Sequence, residues 1–142
     1  MALAVLSSCT PAPVKEAEGV IESTFLRDEV CAEIIADGKH LPPDLVRMIV
    51  KIKGIDNVAA VTDSLSVAGS PATCGVMSGV EYIIEDGVAK LSDRSAFAGS
   101  VATADVLLRV LVNECGFTLS EASTMLSATP ARLFGLNKGK IE

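Results

Sequence analysis

Two short runs that are almost wholly apolar stand on either side of one amphipathic stripe, and that order leaves few folds open. Residues 30–36 (Val-Cys-Ala-Glu-Ile-Ile-Ala) are short, rich in β-branched side chains and followed by Asp37-Gly38, as expected of a strand covered on both faces. Pro42 and Pro43 suit the first turn of a helix whose apolar stripe, Leu45, Val46, Ile49, Val50 and Ile52, stops at Gly54. Val58–Val61 is a second covered strand. Strand, helix, strand predicts an α/β fold with a parallel sheet or barrel, in which ligands gather at the carboxyl ends of the strands.

The flanking segments fill in the rest. Ala4-Val5-Leu6 reads as a short buried strand, Thr10-Pro11-Ala12-Pro13 breaks regular structure, and residues 15–26 space Ala17, Val20, Ile21 and Phe25 as a helix does, with Gly19 weakening it. After Val61 a stretch rich in Ser, Gly and Pro runs from Thr62 to Ser78 without a helical stripe. Residues 80–84 and 88–91 flank Glu85-Asp86-Gly87 and predict an antiparallel hairpin with Gly at a positive φ. Val106, Leu107, Val110 and Leu111 mark a helix over 102–115 that ends at Gly116, Thr118 and Glu121 have capping-box spacing, and Thr129-Pro130 predicts the start of a third short helix through Phe134. No internal repeat or low-complexity tract is present, so residues 1–142 are read as one domain.

Composition excludes several classes. With 49% hydrophobic and 21% charged residues the chain is an ordinary globular one, yet its 142 residues fall well short of the roughly 250 of a complete eight-stranded (βα) barrel. A net charge of -6 leaves no basic patch for a phosphate backbone, so nucleic acid is not an expected partner. No apolar run approaches the roughly 20 residues of a membrane span. Leu6-Ser7-Ser8-Cys9 fits a lipoprotein cleavage pattern, but without a basic segment or a long enough apolar stretch before it; Cys9, Cys31, Cys74 and Cys115 are spaced like reduced, buried thiols, so a cytoplasmic location is expected.

Two strand ends then hold the candidate chemistry. Asp37-Gly38-Lys39-His40 follows the first strand and contains the only histidine; Asp37 suits either a turn or a site, and His40 a general acid or base, an anion-binding donor or a surface loop residue. Asp63 follows the second strand with no helix behind it to cap. Gly99-Ser100 suits a helix N-cap or an anion contact, and Arg132 and Lys138 to Lys140 an anion contact or a solvated basic face. One histidine without a second His or a Cys cluster cannot complete a zinc site, so no metal ligand is assigned.

Taken together, Ile34 to His40, Val61-Thr62-Asp63-Ser64, Phe97-Ala98-Gly99-Ser100 and Ala128 to Gly135 resemble, in order and spacing, the N-acetylglucosamine-6-phosphate deacetylases of the amidohydrolase superfamily, over a stretch from about Glu18 onward. The resemblance implies the C-terminal part of a TIM-type (βα) barrel with a β-hairpin insert at about 80–91 and C-terminal helices. It also implies metal-dependent hydrolysis, with zinc or iron, of the N-acetyl group of an amino-sugar phosphate. On this analogy Asp63 handles the proton of the attacking water, while Asp37, Gly38, Lys39, His40, Phe97, Ala98 and Gly99 line the substrate pocket. The family's metal ligands, an acid and two histidines on earlier strands, have no counterpart here. Activity of the chain alone is therefore doubtful, and a non-catalytic sugar-phosphate binder or structural fragment is the alternative. Both ends look cut, and exposed strand edges predict self-association or a complementing barrel fragment.

Overall fold

The computed structural model describes residues 2–6 and 19–137. Two sheets and a layer of helices make up the molecule. The first sheet is parallel, in the order β1 (Ala2–Leu6), β2 (Val30–Ile35), β3 (Val58–Val61), with Ala4 opposite Ala32 and Ile34 opposite Ala60. The second is an antiparallel meander, β4 (Cys74–Met77), β5 (Val80–Glu85), β6 (Val88–Leu91) and β7 (Phe97–Ser100), in chain order. Among the described residues neither sheet closes on itself, so the mixed α/β character is observed and a barrel is not.

Alternation along the parallel strands sorts their side chains into two sets. Ala32, Ile34, Ala36, Val58 and Ala60 enter the core with α2 (Pro43–Lys53) and the later helices. Cys31, Glu33, Ile35 and Ala59 take the other face. From α2 come Val46, Ile49 and Val50; Leu107, Val110 and Leu111 come from α3 (Ala104–Arg109) and the π turn Val110–Glu114 that continues it. Full burial of side chains such as Ile34, Ile49, Leu107 and Leu111 contributes about 1.5–3 kcal/mol each.

The stripe of α2 differs from the expected one in a single place. Ile52 is 52% exposed, and the position at helical spacing from Val46, Ile49 and Val50 is Lys53. Lys53 buries its stem and donates from Nζ to the carbonyls of Thr24 and Arg27, each at 2.8 Å, which satisfies the C-terminal end of α1 (Val20–Leu26). Helix α1 departs from expectation too: Val20 and Ile21 lie exposed, whereas Thr24 is fully buried and bonds back to the Val20 carbonyl. Gly19 is the N-cap of α1. The readings for Cys9, for Thr10 to Pro13, for 15–18 and for 138–142 fall outside the described residues.

Of the remaining expectations some are met and some corrected. The hairpin is the middle of a four-stranded sheet, because β4 forms inside the Ser/Gly/Pro-rich stretch and β7 where a loop was expected. Gly75 of β4 stands opposite Tyr82, and a Cβ there would come within 2.3 Å of the Tyr82 hydroxyl, so a residue that looks like a loop former is what lets the ring lie across the strand. The capping box forms as expected, Glu121 N–H to Thr118 Oγ1 at 3.2 Å and Thr118 N–H to Glu121 Oε2 at 2.8 Å. The third helix does not begin at Thr129. α4 (Leu119–Ser123), the π turn Thr124–Ala128 and α5 (Thr129–Leu133) run on as one helix, with Thr129 itself helical. The wider turn, closed by Thr129 N–H to the Thr124 carbonyl, precedes Pro130, which lacks an N–H and crowds the preceding turn of a regular helix. Cys31 and Cys115 are buried thiols, pushed up in pKa by burial, while Cys74 is exposed on β4. Among the described residues no helix is long and apolar enough to cross a membrane.

Candidate functional site

The site begins where β2 and β3 end. Past Ile35 the chain turns sharply at Asp37-Gly38, and the carboxylate of Asp37 organises the turn: its Oδ1 accepts from the backbone N–H of Lys39 and of His40, both at 2.9 Å. Its Oδ2 lies 2.8 Å from His40 Nδ1 and accepts from Ser100 Oγ at 3.2 Å. Asp37 and His40 are both buried. Burial alone pushes the Asp37 carboxyl up, but the N–H donors of His40 and Lys39 and the imidazole outweigh it and hold the group below its usual range. Because an ionised carboxylate only accepts, the imidazole proton belongs on Nδ1, which leaves Nε2 open to a second partner. The carboxylate of Asp37 thus both closes the turn and holds the imidazole.

Past Val61 the backbone at Asp63 adopts a left-handed conformation with φ 49. The segment Asp63 to Leu65 then runs beside the end of β7. Ser64 pairs with Ser100 in a parallel bridge, Ser100 N–H donates to the Asp63 carbonyl at 3.1 Å, and Leu65 N–H donates to the Ser100 carbonyl at 2.9 Å. The meander is fastened to the parallel sheet at this point. Gly99 permits it: its φ is 123, and a Cβ would press on the Leu65 side chain at 3.2 Å.

Strand β7 carries a bulge. Ala89 pairs with Gly99 while Lys90 pairs with Phe97, so Ala98 is the extra residue. Phe97 packs its ring edge-on to the His40 imidazole, centroids 5.0 Å apart. Together with Ala98, Gly99, Asp63 and Leu65 it also lines an open cleft whose far wall is Met77, Val80, Tyr82 and Leu91 of the meander. Across the inner face, Glu33 of β2 lies in the field of Asp63; burial first, and then that like charge, push the Glu33 carboxyl above its usual range.

Four of the residues expected at the site, Asp63, Phe97, Ala98 and Gly99, therefore share the cleft, with Asp37 and His40 directly behind Phe97. Gly38 packs toward Val110 and Glu114, and the Lys39 side chain lies against the β5–β6 turn, 3.8 Å from where a Gly87 Cβ would be. Arg132 donates to the Asp56 carbonyl at the other end of β3. Ser100 is not a helix cap here, since the following helix is entered through Thr103, and its backbone N–H donates to the Asp63 carbonyl. What the sequence reading missed is the link Ser100 makes, together with Leu65 and Tyr82 as walls; only a partner strand invisible to spacing rules brings them in. Among the described residues no three His, Cys, Asp or Glu side chains gather as metal ligands, and the imidazole and carboxylate nearest to doing so are bonded to each other.

Comparison with known proteins gives one consistent answer. No family model matches the chain. It is 32% identical over 124 residues to N-acetylglucosamine-6-phosphate deacetylase of Lysinibacillus sphaericus, covering 87% of this chain and 32% of that protein. It is 30% identical over 119 residues to the Escherichia coli (strain K12) protein named "Putative N-acetylgalactosamine-6-phosphate deacetylase", covering 84% of this chain and 70% of that one. Among solved structures, N-acetylglucosamine-6-phosphate deacetylase of Pasteurella multocida superposes with a TM-score of 0.86 at 28% identity, over 99% of this chain and 38% of that one. A mutant of the Mycobacterium smegmatis enzyme in complex with N-acetyl-D-glucosamine-6-phosphate gives 0.79 at 27% identity, over 84% of this chain and 32% of that one. The chain thus spans about a third of the length of these relatives, apart from the Escherichia coli (strain K12) protein, of which it spans 70%.

Proposed function

We infer the role of this chain from one premise: it belongs to the family of N-acetylglucosamine- and N-acetylgalactosamine-6-phosphate deacetylases. We propose that it supplies the amino-sugar-phosphate side of a deacetylase site built at barrel-strand ends. Asp63 is the proton-handling carboxylate, accepting a proton from the water that attacks the N-acetyl carbonyl and returning it to the departing amine. His40, its tautomer fixed by Asp37, backs the substrate pocket through the Phe97 ring, and Phe97, Ala98 and Gly99 form the wall against which the sugar lies. The observation that carries this reading is the placement of Asp63, at the carboxyl end of β3 on a cleft shared with the aromatic ring that packs on His40.

Family membership brings with it the expectation of zinc or iron. The described residues do not fit a metal of that kind, because the donors are not clustered, and no step is assigned to one. That same observation favours a second reading, in which the chain binds an amino-sugar phosphate without turning it over, or does so only beside a complementing barrel fragment. Titration of the isotope-labelled chain with N-acetylglucosamine-6-phosphate, followed by NMR, tests the common ground. The His40 imidazole and the amides of Asp63 to Leu65 and of Phe97 to Gly99 are expected to shift together. Signals that stay still at millimolar sugar phosphate would reject both readings. Release of acetate on addition of zinc, lost in Asp63→Asn, would then separate turnover from binding alone.

A further inference from the structure

Ser100 is bonded to both halves of this region. It is fully buried at the last position of β7. Its hydroxyl donates to Asp37 Oδ2 at 3.2 Å and accepts from the Ala102 N–H at 3.0 Å, so the rotor is held from both sides. Its backbone donates to the Asp63 carbonyl at 3.1 Å and accepts from the Leu65 N–H at 2.9 Å. One residue therefore touches the carboxylate that orients His40 and, through its main chain, the segment that carries Asp63.

We propose that Ser100 is the positioning residue of this site, tying the Asp37–His40 pair to the Asp63 segment so that the two halves keep one geometry. The assignment rests on the reading of Asp63 and His40 given above. A hydroxyl is required because it must give and take a hydrogen bond at once: alanine offers neither. The 3.2 Å bond also shares Oδ2 with the imidazole, so Ser100 sets how much of that oxygen His40 receives. The other charged groups near His40 are Lys39 on its own loop, Glu114 against Gly38, Asp86 beside Lys39, and Asp63 on the far side of Phe97; of these only Asp63 belongs to a segment bonded to Ser100.

The chain contains one histidine, so its imidazole signal in NMR is unambiguous. In Ser100→Ala, Asp37 Oδ2 serves the imidazole alone, and the His40 imidazole nitrogen and carbon signals are expected to shift. The amides of Asp63, Ser64 and Leu65 should shift as well, with exchange at Leu65 about tenfold faster. In Asp37→Asn, adding Ser100→Ala should move His40 no further. A Ser100→Ala chain that melts earlier but keeps its His40 imidazole signals in place, with residues 63–65 unmoved, would reduce Ser100 to packing and overturn the proposal. Should that variant not fold, Asp37→Asn alone supplies the measurement from the other side: the Ser100 and Ala102 amides are expected to shift, and their constancy would overturn the tie. Sugar-phosphate binding is scored separately on the unaltered chain. Its absence counts against the functional reading, while a His40 shift in Ser100→Ala upholds the tie whichever way that result falls.

Discussion

Asp37 and Glu33 stand two turns of the pleat apart on one strand and its exit, yet burial acts on them with opposite outcomes. Asp37 finds donors enough to stay ionised, so its folded pKa lies below the unfolded value of about 3.9. Stability from this group is therefore present above that unfolded value and is lost as pH falls through the depressed one. Asp37→Asn should flatten the acid limb of a plot of melting temperature against pH, and a limb unchanged in the variant would refute the assignment. Glu33 has no such donors among the described residues; burial and the charge of Asp63 raise its pKa. Its ionised form is disfavoured in the folded chain above the raised pKa, and the penalty disappears below the unfolded value of about 4.3. Glu33→Gln is expected to raise the melting temperature at pH 7 and to lose that gain near pH 4; an equal gain at both would show that volume, not charge, is responsible.

At the level of elements, legibility followed periodicity. Residues 30–36 and β3 were readable as unbroken apolar runs and α2 by its helical stripe, with Gly38 and Gly54 closing the first of these strands and the helix. Strands β4 and β7 were not, since Cys-Gly-Val-Met and Phe-Ala-Gly-Ser show no alternation and owe their form to partners: Gly75 to the Tyr82 ring, Gly99 to Leu65. Thr129-Pro130 misled for a related reason, as a proline that normally opens a helix is accommodated by the π turn before it. The candidate site was legible where strand ends carry it, at Asp37, His40 and Asp63, and illegible where two chain segments meet, at Ser100. The glycine at that meeting point is testable. Gly99→Ala places a Cβ on Leu65 at a φ that side chains rarely adopt, and a loss of roughly 1–3 kcal/mol is expected from denaturant midpoints. A loss within a few tenths would mean that β7 can move away from the Asp63 segment without cost.

For the whole molecule the open question of shape is one of edges. Strand β1 has β2 on one side and, among the described residues, no strand on the other. An unpaired parallel edge of this kind offers a row of main-chain donors and acceptors to any extended segment. Association into dimers or larger species is therefore expected in sedimentation velocity at micromolar concentration; a single monomeric boundary across that range would show that the edge is otherwise protected.

The meander also dictates a sequence of events in time. Each of its strands meets its chain neighbour, across the two-residue reversals at Ser78-Gly79 and Asp86-Gly87 and the longer connection 92–96, whereas Ala32 must wait for Val58 across an intervening helix. Short closures form early and distant ones late. The chain would accordingly assemble a local hairpin platform first, and the delivery of Ser100 to the Asp63 segment becomes a docking step, in which a finished ruler is laid against a sheet still being drawn.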